Sequence, residues 1–304
     1  MAPPDDAGRS AGAARPAVWR FDAIGTRWQI ETPAPLDARA RAAVLGVIAE
    51  FDRQWSRFRS DSLVAALAGG AAAVPAPPDA SAMLDAFDAL SAATAGAVNP
   101  LVGASLEARG YDAGYRLVDR GAAPAPANWQ DVLSWDGGML RLTEPAVLDV
   151  GALGKGRLVD RVAEALEPWT RDGLVVDASG DMVVRGGPHR IGLEHPYDAR
   201  RAIGVVEVTD AALCASATNR RSWGEGLHHV LDARTGEPVR TIAATWAIAP
   251  ASQPSPAMRA DAIATALFFD GGPQLAAQWR VEWVRMSTDG RVEWSPGSTA
   301  ELFA

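Results

Sequence analysis

The way periodicity changes along the chain constrains its fold more than any other feature. From Leu36 to Phe58 the apolar residues Val44, Leu45, Val47, Ile48, Phe51 and Trp55 recur at three- and four-residue spacing, which describes an amphipathic helix with Asp37 in its first turn. A second helix is expected over about Asp79 to Thr94, and a shorter one after Asn99-Pro100 that Gly110 would end. Gly154 to Trp169 reads as a further helix behind a glycine-rich turn. Beyond Gly173 the period shortens. Stretches near Gly173 to Val184, Arg190 to Glu194, Ile203 to Val208, Ala211 to Ala215, Thr241 to Ala249 and Glu282 to Met286 look extended, and one helix, Arg259 to Phe269, interrupts them. A strand pair bent at Gly25 is expected within Val18 to Thr32, and a hairpin over Leu133 to Leu142 around Asp136-Gly137-Gly138. Helices gathered early and strands late, with no regular βαβ alternation, predict an α+β fold.

A chain of 304 residues, 48% hydrophobic and 22% charged, can bury a large core. We read one domain over 18–304 behind a mobile tail, Met1 to Ala17, that is rich in Pro, Ala, Gly, Arg and Asp. No apolar run approaches the roughly 20 residues needed to cross a bilayer. With no hydrophobic leader at its start the sequence as given is expected to be cytoplasmic, or exported if a leader has been trimmed. The formal net charge of -8 supplies no broad basic field, which argues against nucleic acid and for a small ligand held locally. The lone cysteine, Cys214, excludes an internal disulfide and a thiolate metal cage, and Leu213-Cys214-Ala215 reads as a buried apolar stretch.

The strongest chemical signal is Leu148-Asp149-Val150-Gly151-Ala152-Leu153-Gly154-Lys155-Gly156, followed by Val159-Asp160. Glycines where an extended segment enters a helix let backbone approach a phosphate, the helix start offers free N–H groups and Lys155 adds charge. The order of residues is neither a Walker loop nor the dinucleotide fingerprint, and a merely tight turn is the competing reading. In Arg259 to Leu267, Asp261 and Thr265 lie four apart on one helix face, so a carboxylate and a hydroxyl can face one hard cation. A first-turn charge and a hydroxyl bonded back to its own helix would give the same letters.

Leu227-His228-His229-Val230-Leu231-Asp232 carries two histidines of opposite facing, one of which can enter a site as proton acceptor or phosphate partner. Ser179-Gly180-Asp181 reads as a polar turn whose carboxylate meets a ligand or caps the turn. Phe58 offers a face for stacking or a core contact, and Asp61-Ser62 a helix cap.

Taken in order, Ile24-Gly25-Thr26, Phe58 to Ser62, Asn99 to Gly103, Asp149 to Asp160, Ser179-Gly180-Asp181, His229 to Gly236 and Ala260 to Thr265 resemble the FAD:protein FMN transferase family, also called ApbE. The sequence departs from the family's usual Met-Gly-Thr at Ile24, from Asp-Pro at Asn99, and from Gly-Gly-Asp at Ser179. The resemblance implies a T-fold-like α+β core, a mixed or antiparallel sheet with packed helices, around a flavin cleft. By position it places FAD contacts on Ile24, Phe58, Ala97, Val98, Asn99, Asp149, Lys155 and Leu231, with Asp181 a further ligand candidate. It implies a magnesium (Mg2+) site from Ala152, through its carbonyl, with Asp261, Ala264 and Thr265, and a catalytic role for His229 beside Asp261. The implied reaction cleaves FAD, attaches FMN through a phosphoester to a threonine of an acceptor flavoprotein, and releases AMP. An FAD diphosphatase releasing FMN and AMP, and a flavin carrier without turnover, are the alternatives. Asp88 to Thr94 also resembles the target pattern of such modification, and its helical setting marks that likeness as chance.

Overall fold

The computed structural model describes residues 15–70, 73–171 and 173–303. Most of the expected tail lies outside the described residues, and its last residue, Ala17, pairs with Thr32 in the first strand. An eight-stranded antiparallel sheet runs through the molecule. Its strands lie in chain order: Ala17–Ala23, Thr26–Thr32, Leu174–Asp177, Asp181–Arg185, Ala211–Ala217, Ile242–Pro250, Glu282–Ser287 and Val292–Trp294. The longest break in the meander falls between the second and third strands, where a largely helical insertion enters, and shorter excursions leave the sheet after Arg185, Ala217 and Pro250. The α+β class therefore holds.

The helices are α1 (Ala38–Trp55), α2 (Leu63–Ala68), α3 (Ala80–Ala93), α4 (Gly103–Ala108), α5 (Trp129–Val132), α6 (Gly154–Leu166), α7 (Pro256–Ala266) and α8 (Gly272–Trp279). In α1, Val44, Ile48, Phe51 and Trp55 of the expected stripe are buried together with Ala40, whereas Leu45 falls on the solvent side and is exposed. Asp37 is not inside its first turn but is the N-cap, accepting from the Ala40 amide at 2.7 Å. Ser62 caps α2 in the same way through Ala65, so the cap reading of Asp61-Ser62 is the correct one. The α7 helix starts three residues before the expected Arg259 because Pro256 fits the first turn, where its missing N–H costs nothing.

Alternation along the strands sends side chains to two cores. Ile30, Val176, Val183, Ala212, Cys214 and Ala247 pack under the helices, in the larger core. Val175, Met182, Val184, Leu213 and Trp246 face the other way, against a three-stranded sheet of His189–Glu194, Ala202–Val208 and Glu301–Leu302. Cys214 is fully buried, and burial pushes its thiol up. Among the described residues no helix is long and apolar enough to cross a membrane.

Candidate active site

A cavity of about 840 Å³ lies where the insertion meets the helix face of the sheet. The glycine-rich segment forms its floor: Asp149 Oδ1 accepts from the Gly151 amide at 2.7 Å, closing a tight turn, and α6 begins at Gly154 with no side-chain cap. Gly154 donates to the Val150 carbonyl and Gly156 to Asp261 Oδ2, so what this floor offers an anion is the positive end of α6 together with the charge of its second residue. Lys155 adds an ammonium that lies 3.0 Å from Asp181 Oδ2. Burial alone would lower the Lys155 pKa, but the Asp181 and Asp261 carboxylates outweigh it and raise it, so the residue stays cationic.

Asp181 is fully buried and is not part of the cavity wall. Its position in the strand puts it on the helix face, beneath Lys155, so it meets a ligand only through that ammonium. The α7 helix approaches from the opposite side. Asp261 Oδ2 accepts from the Gly156 amide at 2.8 Å, and Thr265 Oγ1 donates to the Ala152 carbonyl at 3.1 Å. Both alternative readings of these residues are thereby displaced: Asp261 sits in the second turn, and Thr265 bonds across to another element instead of back into its helix.

Three oxygens of different kinds, the Ala152 carbonyl, the Asp261 carboxylate and the Thr265 hydroxyl, thus converge at the cavity floor. They fit a hard divalent cation, which takes oxygen donors. Burial first, and the neighbouring Asp181 second, push the Asp261 carboxyl well above the usual range, a cost that a cation seated against it would offset. Ala264 does not join them. Its carbonyl accepts from Thr245 Oγ1 at 2.7 Å, and the residue lies away from the cavity. Among the described residues no group of three His, Cys, Asp or Glu could hold a metal, so any cation here depends on the carbonyl and hydroxyl.

The two histidines diverge as strand geometry requires. His228 Nε2 bonds the Val239 carbonyl at 2.8 Å, whereas His229 lines the cavity with its Nδ1 buried and unpartnered. Burial, then the charges of Arg221, His228 and Lys155, bring the His229 pKa down to about 3, so its imidazole is neutral. Ile24, Ala97, Val98, Asn99 and Leu231 all reach the wall. Asn99 holds its loop by donating to the Pro126 carbonyl and accepting from Leu101. Ile24 and Gly25 form a two-residue hairpin turn with φ of 46° and 71°, the signature of a type I′ turn. A β-branched residue with positive φ is strained, and here the strain points an apolar side chain at the cavity.

Aromatic rings close the cavity on the insertion side. Phe58 stacks on Tyr115 with centroids 5.3 Å apart and planes at 10°, and Tyr111 stacks on Trp223 at 5.5 Å. Sequence reasoning found Phe58 but missed Arg57, Tyr111, Tyr115, Arg221 and Trp223. The Ser56-Arg57-Phe58 triplet was a signal for Arg57; Tyr111, Tyr115 and Arg221 stand in irregular segments and Trp223 in a two-residue strand, which only the tertiary fold brings together. Thr94, in the stretch resembling a modification target, is 4% exposed, donating to the Leu90 carbonyl and accepting from Val98. It presents no free hydroxyl.

A family model described as the ApbE family matches residues 24–284. An FAD:protein FMN transferase of Treponema pallidum is 27% identical over 90% of this chain and 85% of its own length. Among solved structures, the ApbE protein of Thermotoga maritima superposes with a TM-score of 0.79 at 21% identity, covering 92% of this chain and 97% of that one. The flavinyl transferase ApbE of Pseudomonas stutzeri gives 0.72 at 21% identity, over 92% and 95%.

Proposed function

This chain belongs to the ApbE family and is a flavin transferase, and we propose that it splits FAD with the help of magnesium, moves FMN to a threonine hydroxyl of a separate protein and releases AMP. One observation carries the reading: the positive end of α6, the Lys155 ammonium and the oxygens of Ala152, Asp261 and Thr265 meet in a cavity whose other wall is aromatic. That arrangement suits a ligand with a diphosphate at one end and a flat ring at the other.

Lys155 and the positive end of α6 hold the diphosphate and keep it from rotating. Asp181 keeps Lys155 charged and aimed. Ala152, Asp261 and Thr265 would hold magnesium, whose charge would offset the negative charge that develops on the diphosphate. The acceptor oxygen attacks the FMN phosphorus, a new P–O bond forms, and the bond to the AMP phosphate breaks. The hydroxyl proton must go to a base, and the neutral His229 has a free Nδ1 to take it. Negative charge from a bound diphosphate would raise its affinity for that proton.

Incubation with FAD, magnesium and a threonine-containing acceptor, followed by acceptor mass and free FMN, tests the reading. A gain of the FMN mass on the acceptor threonine supports it. Free FMN and AMP without acceptor gain would make the chain a diphosphatase, and neither product would make it a carrier.

A further inference from the structure

Arg57, one residue past the C-cap of α1, is 7% exposed, yet it lines the cavity. Its Nε donates to Asp149 Oδ2. Neither Nη1 nor Nη2 has a hydrogen-bond partner, and a second carboxylate, Glu107, stands 4.0 Å from Nη1, beyond hydrogen-bond reach. The guanidinium lies 4.2 Å from the ring centroid of Phe58 and 5.2 Å from that of Tyr111.

Stacking on rings and one charged bond make up part of what a guanidinium loses on leaving water, but two buried NH₂ groups without acceptors are costly. Such a group persists where a ligand completes it. Two kinds of acceptor could do so here, a phosphate or the edge of a heteroaromatic ring. Asp149 already offsets the charge of Arg57, which weakens it toward a second anion, and aromatic faces flank it on two sides. Asp149 stands between Arg57 and the glycine turn that leads into α6, accepting from Arg57 Nε through Oδ2 and from the Gly151 amide through Oδ1.

We infer that Arg57 is a specificity residue for the flavin half of the substrate, its free Nη groups donating to the carbonyl-bearing edge of an isoalloxazine that lies against the Phe58 and Tyr115 wall. Asp149 then has two duties, closing the glycine turn through Gly151 and fixing the plane of the guanidinium. The inference rests on FAD being the substrate.

The test titrates the full chain with FAD and, separately, with ADP, which carries the diphosphate and adenosine but no flavin. Arg57→Met should weaken FAD about tenfold or more, by loss of charge-assisted donors, while ADP changes less than about twofold. The visible band of bound FAD should move toward that of free FAD in the variant. Arg57→Lys should recover part of the FAD affinity but not the wild-type band, since an ammonium lacks the planar fork. Equal losses for FAD and ADP, as a structural role would give, overturn the inference, as does unchanged FAD affinity. A wild-type chain that binds no FAD overturns the flavin reading and this inference with it.

Discussion

The Gly156 amide donates to Asp261 Oδ2 at 2.8 Å, so the helix that begins the phosphate floor directly positions the carboxylate on the helix opposite. The reverse link lies one turn on. Asp160 in α6 accepts from the Ala257 and Met258 amides at 2.9 Å each, capping the start of α7. The two helices are therefore registered by reciprocal bonds, and neither half of the floor can shift without the other.

Gly156→Ala should break this register. A Cβ there would sit 2.2 Å from the Ala257 carbonyl oxygen and 2.7 Å from Asp261 Cβ, so backbone must move. The expected cost is about 1–3 kcal/mol in urea unfolding, with a fall in FMN transfer larger than the remaining folded fraction explains. Gly46→Ala, on the open face of α1 with nothing near it, is the control and should gain about 0.5–1 kcal/mol. Equal stability of the two variants would show that the helices tolerate separation.

Removing the carboxylate proposed to hold magnesium should remove turnover. Asp261→Ala is expected to lower FMN transfer at least ~100-fold under saturating FAD, since a group that offsets charge at the reacting centre is lost. In the wild type, a chelator should abolish transfer and added magnesium should restore it. Activity unchanged in the variant would remove Asp261 from the site.

Stability should depend on pH through His229. Its folded pKa of about 3 lies below the ordinary 6.5, so between these values the unfolded chain binds more protons and stability rises with pH. The contribution is complete above about pH 6.5 and is lost as pH falls toward 3. His229→Gln should flatten the melting-temperature profile over that window. A variant profile parallel to wild type would show that His229 is not held neutral by burial.

Ile24 trades strain against ligand contact. Ile24→Asn relieves a β-branched side chain at φ 46° and should raise stability by about 1 kcal/mol, while weakening FAD through loss of an apolar wall. Thermal unfolding and FAD titration check the two halves. A variant that is both less stable and unchanged in affinity would contradict the trade.

Much of this site was legible because its parts are local. The glycine run before α6 and the i, i+4 spacing of Asp261 and Thr265 depend only on neighbours in sequence, and the structure faces them across one floor. Helices α2 and α8 were passed over because six and eight residues hold too few turns to show a period. The aromatic wall was hidden for another reason. Tyr111 and Tyr115 come from an irregular stretch and Trp223 from a two-residue strand, and their stacking is set by folding over long separations. Asp181 looked like a turn residue, but strand alternation buries it under Lys155, which spacing alone does not reveal.

The longest break in the meander fixes when the site can exist. The second strand waits for its neighbour, Leu174–Asp177, until the whole insertion has been made, and the floor waits longer, for α7. During synthesis the ribosome must deliver Pro256–Ala266 before Ala152 meets Thr265, so a nascent chain already carrying Phe58, Asn99 and Lys155 has only part of the cavity. The cavity is completed late in translation, after most of its lining has emerged.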